Sequence, residues 1–349
     1  MLHAGFYYAA DSLKARFTRE GNQQLTSYCA ARRLPINHCG KLVVARTPAD
    51  LSGLAELLRR GRVNGVALDE VTTAEARGLE PRAKTYERAL FSPTTASIDP
   101  HAVLNAFVAD ARTEGVTLLP GTAYLGRAGS AVRTTAGPLS PGYVVNAAGL
   151  QSDRIARDWG FADRWRILPF KGLYLEAAAG SPPFRTHIYS VPDPRQPFLG
   201  VHVTVHVDGA ASLGPTAIPA FWREQYAGWS RFSLSELLEI LAREAGLLLR
   251  NNFGFRTLAL EELGKYRPSR IVALAAELAE GIRPEDFRRW GRAGIRAQLV
   301  DIRERRLEMD FKFEGDDRSF HVLNAVSPGF TCALPFSSYL ADQITDLRG

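Results

Sequence analysis

The sequence predicts an α/β domain with an α+β domain inserted into it. Three observations predict this. Capped amphipathic helices alternate with short apolar strands in the first part of the chain. Residues 167–218 then alternate through several strands with Pro, Gly and Asp turns, the pattern of an antiparallel sheet. After a mostly helical stretch at 230–292 the chain returns to strands at 295–325 and a closing helix at 328–347. No repeat and no low-complexity linker interrupts the order.

Each element has a local reason. Lys41-Leu42-Val43-Val44-Ala45 is a short apolar strand. Thr47-Pro48-Ala49-Asp50 then opens a helix through Leu51, Leu54, Leu57 and Leu58, with Thr as cap, Pro at the first helical position and Gly61 as stop. Thr72 and Glu75 form a capping box for a short helix that ends near Glu80-Pro81. Asp99-Pro100 opens another, with Val103, Leu104, Phe107 and Val108 on one face and Gly115 at its end. Val116 to Leu119 reads as the strand that follows. Tyr143 to Gly149 reads as a buried strand ending in small residues, with a helix from Ser152 to Trp159 behind it. Ser233 and Glu236 cap a helix through Leu237, Leu238, Ile240 and Leu241, and 269–281 also reads helical.

Composition narrows the class. A chain of 349 residues with 46% hydrophobic and 23% charged residues is globular, of about two domains, and can bury a sizeable core. Cys29, Cys39 and Cys332 are too few and too scattered for a disulfide framework or a zinc site, which fits a reducing, cytoplasmic setting. The net charge is +6, but the longest basic cluster, Arg303, Arg305 and Arg306, is interrupted by Glu304 and Glu308 and reads as a solvated face, not a nucleic-acid track. A positive surface would favour small dianionic substrates. No window approaches a membrane span, and the opening MLHAGFYY has no signal-peptide pattern.

Five features carry chemistry. Asn146-Ala147-Ala148-Gly149 ends a strand in side chains small enough for a ligand to approach the backbone. Ser327-Pro328-Gly329-Phe330-Thr331 turns from a strand into the closing helix, where free N–H groups and a positive dipole end point outward. Along Gly200–Asp208, His202, Thr204, His206 and Asp208 share one strand face and the valines share the other. Two histidines two apart invite a metal reading, yet the spacing supplies no third ligand. Lys171, one of only six lysines, lies in the apolar run Pro169–Tyr174, and Arg296 lies among small residues at 294–298; either could pair with a carboxylate. His3, Tyr7 and Tyr8 cluster at the start.

Together these pieces resemble one family. HAGFYY with SLKARF at 3–17, CGKLVVA at 39–45, VVNAAGLQSDRIA at 144–156, LPFKGLY at 168–174, HIYSVPD at 187–193 and FLGVHVT at 198–204 fit it in order. So do GPTAIPAFWRE at 214–224, GIRAQLVD at 294–301 and EGDDRSFHVLNAVSPGFTCALPF at 314–336. The chain is similar to the L-2-hydroxyglutarate oxidase/dehydrogenase family of the FAD-dependent D-amino-acid-oxidase-like superfamily. FKGLY, GVHVT, GIRAQ and NAVSPGFT are specific to that branch. One feature departs from the family: no two glycines are two apart, so the G-x-G-x-x-G turn that holds the FAD pyrophosphate is absent, and the expectation is a chain that lacks the first βαβ unit.

The resemblance implies an N-terminally truncated, Rossmann-like FAD-binding domain over 1–40, 95–165 and 295–349. It implies a substrate domain built on an antiparallel sheet over 41–94 and 166–294. The implied reaction is oxidation of L-2-hydroxyglutarate to 2-oxoglutarate by hydride transfer to flavin N5. His202 is the expected base and His3 its rival. Arg296, Lys171, Tyr189 and Thr204 are expected at the substrate. Asn146, Ala148 and Gly149 are expected along the FAD phosphate and ribityl region, and Ser327 to Thr331 at the reduced flavin. No metal or nucleic acid is expected, and a quinone acceptor would bring the protein to a membrane surface. Two other readings stay open: a remnant unable to hold FAD, and a flavin oxidase for another small hydroxy or amino acid.

Overall fold

The structure is a computed structural model that describes residues 1–193, 199–250 and 262–349, with side chains omitted over 243–250. The mostly helical stretch expected at 230–292 therefore falls partly outside the described residues, as does Phe198 of the FLGVHVT stretch. The fold is mixed α/β with several sheets. In chain order, the elements that position the site are helix α1 (Leu13–Arg32), strand β1 (Lys41–Val44), β2 (Val144–Asn146), β3 (Trp165–Gly172), β4 (His187–Ser190), β5 (His202–Val205), β6 (Ala211–Gly214), β7 (Gly294–Asp301), β8 (Ser319–Asn324) and helix α2 (Ala333–Arg348).

The largest sheet has eight strands, in the order Arg289–Trp290, Leu175–Glu176, β6, β5, β4, β1, Arg88–Ser92, Asp69–Thr72. All neighbours are antiparallel except β4 and β1, which run parallel with His187 opposite Lys41 and Tyr189 opposite Val43. Period-2 alternation divides its side chains. Leu42, Val44, Ile188, Val203, Val205 and Leu213 pack with Ile271, Val272 and Ala275 of the helix Pro268–Ala276 in one core. Lys41, His187, Tyr189, His202 and Thr204 alternate with that set and occupy the other face. The polar stretch read along Gly200–Asp208 is strand only over His202–Val205; beyond it the chain turns, with Gly209 N–H donating to the His206 carbonyl.

A four-stranded sheet, Ile218–Pro219, β3, β7, Arg306–Leu307, adjoins it, with β3 and β7 antiparallel over eight residue pairs from Trp165–Asp301 to Gly172–Gly294. A three-stranded sheet joins Lys312–Gly315, β8 and β2, the last two parallel. Among the described strands β2 has β8 on one edge and nothing on the other, so Val145 is 53% exposed where the sequence predicts a buried strand. Helices α1 and α2 pack beside this sheet through Phe17, Phe311 and Phe336, whose rings lie 4.3 to 6.3 Å apart.

The local signals at 72–75 and 99–100 are realised. Thr72 and Glu75 cap each other, and the Asp99 carboxylate accepts from the N–H groups of His101 and Ala102. Two expectations need correction. Val116–Leu119 is irregular and largely exposed, because no described strand lies beside it to complete a ladder. The closing helix begins at Ala333, not 328: Cys332 N–H donates to the Pro328 carbonyl, so residues 327–332 form a separate turn. Among the described residues no helix is long and apolar enough to cross a membrane.

Candidate active site

The bend after β2 is held from inside. Asn146 is buried, and its amide donates to the Ser152 carbonyl at 2.8 Å and meets His321 Nδ1 at 3.1 Å, while its Oδ1 accepts from Ala148 N–H at 3.2 Å. Its hydrogen bonds shape the bend, and it is absent from the lining of the cavity beside it. The same bend is anchored below by Asp153, which takes a bidentate pair from the buried Arg223 at 2.6 and 2.9 Å and accepts from Ile167 N–H at 3.2 Å. Arg223 thereby fastens the segment after β6 to the bend.

Above it lies a cavity of about 430 Å³. Small residues form one part of its wall, Ala147 and Gly149 from the bend, Gly172 of β3, Gly294 and Ala297 of β7 and Ala325 after β8, and larger ones such as Phe170, Tyr174 and Leu323 form the rest. A Cβ on Gly149 or Gly294 would meet no atom within 4 Å, so both face open space. Arg296 stands opposite Phe170 in the β3–β7 register, and both side chains line the cavity. Lys171 lies between Phe170 and Gly172 and lines neither this cavity nor the next. Strand alternation turns it to the other face of β3, where burial lowers its pKa. The expectation that it meets a substrate carboxylate finds no support in either cavity lining.

A second cavity, of about 740 Å³, opens on the polar face of the large sheet and includes His3, Tyr189, His202 and Thr204. The two cavities share Tyr174, Pro215, Arg296 and Ser327, so they adjoin at these residues. Within the turn Ser327–Thr331, Ser327 lines both cavities. Thr331 is buried and its hydroxyl accepts from the His3 N–H at 3.3 Å, which ties the two segments together. Pro328, Gly329 and Phe330 line neither cavity, and Phe330 is 40% exposed. Ala148 is likewise absent from both linings; its N–H serves the bend. Asn22 on α1 holds the opening segment in place by donating to the carbonyls of His3 and Thr94 at 3.1 and 3.0 Å.

His202 has a defined tautomer. Its Nδ1 lies 2.9 Å from the Gly200 carbonyl, which can only accept, so Nδ1 carries the proton and Nε2 is left with a lone pair. The ring stacks on Tyr189 at 3.6 Å between centroids. Burial pulls its pKa down to about 3, and the charge of Lys41 acts in the same direction. Burial, then Lys41, the amino terminus, His202 and Arg296, hold His3 well below the usual imidazole range. Both histidines are neutral at pH 7. Arg296 is lowered by burial, against which the phenols of Tyr174 and Tyr8 act. Burial drives Tyr189 well above the usual phenol range. The site thus presents a cation, two neutral imidazoles and phenols on a desolvated wall. Sequence reasoning missed Tyr174 and Lys41. Tyr174 has a signal, since it lies two residues beyond Gly172 on the same side of an extended chain. Lys41 has only the oddity of a lysine opening an apolar strand.

The chain matches the model of the FAD dependent oxidoreductase family (DAO) over residues 1–343. It is 30% identical to L-2-hydroxyglutarate dehydrogenase of Escherichia coli (strain K12), over 99% of this chain and 82% of that protein. It is 33% identical to the mitochondrial L-2-hydroxyglutarate dehydrogenase of Homo sapiens, over 99% and 78%. Among solved structures, dithionite-reduced L-alpha-glycerophosphate oxidase from Mycoplasma pneumoniae with FAD bound superposes with a TM-score of 0.75 at 18% identity, covering 99% of this chain and 83% of that one. Glycine oxidase from Geobacillus kaustophilus gives 0.71 at 17% identity, covering 99% and 82%. The chain belongs to the FAD-dependent oxidoreductase family and is an enzyme of that class, with FAD as its cofactor.

Proposed function

We propose that this enzyme oxidises the 2-hydroxyl of L-2-hydroxyglutarate to give 2-oxoglutarate. The observation that carries the reading is the position of Arg296, a half-buried cation that lines both the glycine-containing cavity and the cavity of His202 and Tyr189. The names of the relatives supply the substrate, and two adjoining cavities with a guanidinium between them suit a small dicarboxylate beside a flat ring. Segments 1–40, 95–165 and 295–349 would hold the cofactor, and 41–94 with 166–294 would hold the substrate.

The residues fit FAD. A slot walled by Gly149, Gly172, Gly294 and alanines admits a flat ring system where larger side chains would fill it. When bound, FAD supplies the acceptor for the hydride that leaves C2 of the substrate. Arg296 binds a substrate carboxylate through its planar fork. His202 Nε2, bare because Nδ1–H is committed to Gly200, takes the hydroxyl proton as the C–H bond breaks. Thr204 and Tyr189 border the substrate on the same sheet face, and the wall around them excludes water, which strengthens the Arg296 contact. Ser327, next to Arg296 in both cavities, contributes to the edge where negative charge grows.

Adding L-2-hydroxyglutarate without oxygen to the purified, FAD-loaded protein tests this. Loss of the oxidised-flavin absorbance with formation of 2-oxoglutarate is expected. Bleaching by glycine or L-glycerol 3-phosphate alone would move the enzyme to another substrate. A protein that stays colourless in excess FAD would remove the catalytic reading altogether.

A further inference from the structure

One buried charge lies outside both cavities. Lys41 opens β1, opposite His187 on one side and Ser92 on the other. Its side chain is fully buried, and Nζ has no hydrogen-bond acceptor among the described residues. Aromatic rings surround it instead: Nζ lies 4.5 Å from the ring centres of Phe6 and Tyr7 and 4.9 Å from that of Tyr189. The negative faces of the rings attract an ammonium, yet burying it without an acceptor is still costly. Methionine would fill the same space without that cost, so the charge calls for a role among its neighbours.

The neighbouring group with chemistry is His202. Tyr189 carries Lys41 against its ring and His202 stacked on it at 3.6 Å and 20°. The other titratable and charged groups packed around this cluster are the Met1 amino group, His3, Tyr7, Tyr8, Tyr174, Cys39, His187 and Arg296. We propose that Lys41 is a positioning residue for the base: caged by Phe6, Tyr7 and Tyr189, its ammonium holds the Tyr189 ring flat against His202 and opposes a second positive charge on that imidazole. The result is a base kept neutral and oriented before substrate arrives. The proposal rests on the reading of His202 as the base. Burial brings Lys41 itself down to about 7, so it is charged below neutrality, about half charged at pH 7 and neutral above it.

Lys41→Met and Lys41→Arg, made in the full chain, separate the possibilities. The His202 ring signals, assigned with His202→Gln, are followed by NMR against pH without substrate, so this readout stands even if the substrate or the base is wrong. In the wild type the His202 signals should step near pH 7 as Lys41 discharges, and in Lys41→Met that step should be absent. In Lys41→Arg, charged throughout, the signals should stay at the position the wild type shows below that step. With substrate, Lys41→Met should lower kcat and leave KM unchanged, since Lys41 lines neither cavity, and Lys41→Arg should restore kcat. A step near pH 7 that persists in Lys41→Met overturns the proposal. Should that variant not fold, the wild type decides. Its His202 shifts should show a step near pH 7 as Lys41 discharges, and a flat response while the Lys41 ε-methylene signals titrate overturns it equally.

Discussion

Two residues in the site divide the work, and the division is testable. His202 has one nitrogen committed and one able to accept, whereas Arg296 has a rigid fork of donors at the cavity junction. His202→Gln keeps the size and polarity but removes the basic nitrogen. It should lower kcat by roughly 10²- to 10⁴-fold with little change in KM. Arg296→Lys keeps the charge but loses bidentate geometry. It should raise KM by roughly 10- to 100-fold, the worth of a charged hydrogen bond or two. Steady-state kinetics on both variants checks the assignment; a drop in kcat for Arg296→Lys with unchanged KM would shift that residue from binding to the chemical step. At this scale the sequence was legible where alternation applies: Val203 and Val205 in the core require His202 and Thr204 opposite them. It was not legible where a site gathers distant segments. The cage of Lys41 joins residues 6 and 7 to residue 189, and no spacing along the chain signals that meeting.

Helix α1 shows how an element can serve the site through a single hydrogen atom. Gly21 sits mid-helix, where alanine normally stabilises by about 1 kcal/mol. Here a Cβ would collide with the carbonyl of Thr331, in the turn that ties to His3 and borders the cavities. Backbone against backbone cannot yield as a side-chain tip can, and overpacking of this kind costs about 1–3 kcal/mol. Gly21→Ala should therefore lower the melting temperature and weaken FAD binding. Gly78, in the helix Thr73–Leu79, meets nothing within 4 Å, so Gly78→Ala should raise the melting temperature and leave FAD binding alone. Thermal melts and flavin titrations of the two variants provide the comparison. Equal behaviour would mean that the α1–turn contact is not tight. Elements set by near neighbours, such as the Thr72–Glu75 box and the Asp99 cap, were readable from the chain. Val116–Leu119 was not, because strand propensity without a partner strand has no ladder to join.

Across the whole molecule, burial has pushed the buried histidines, lysines and tyrosines towards their neutral forms, and that sets how stability varies with pH. Of the seven histidines, His3, His187, His202, His206 and His321 all have lowered pKa values, with burial the largest cause in each. The unfolded chain protonates each of them near pH 6.5. The folded chain holds off until about 4 for His321 and about 3 for His202. Protons thus bind the unfolded state preferentially, and stability falls as the pH drops below about 6.5. Each pH unit costs about 1.4 kcal/mol for every histidine that stays neutral. Several such groups acting together are enough to consume a total stability of about 5–15 kcal/mol. The carboxylates of Asp153, Asp301 and Asp316 are held below their ordinary value, so they lose their contribution only below about pH 4. Lysines act with the same sign in a higher window: Lys14 is lowered to about 8 and Lys41 to about 7, chiefly by burial, so stability should still climb between pH 7 and 10. Above that, Tyr7 and Tyr189, raised by burial, reverse the slope as the unfolded phenols ionise. The expected profile has its maximum on the alkaline side of neutrality and an acid unfolding midpoint above pH 4. Thermal melts from pH 4 to 10 decide it, and a maximum near pH 5 with an acid midpoint below 4 would show that the buried histidines accept protons without leaving the fold.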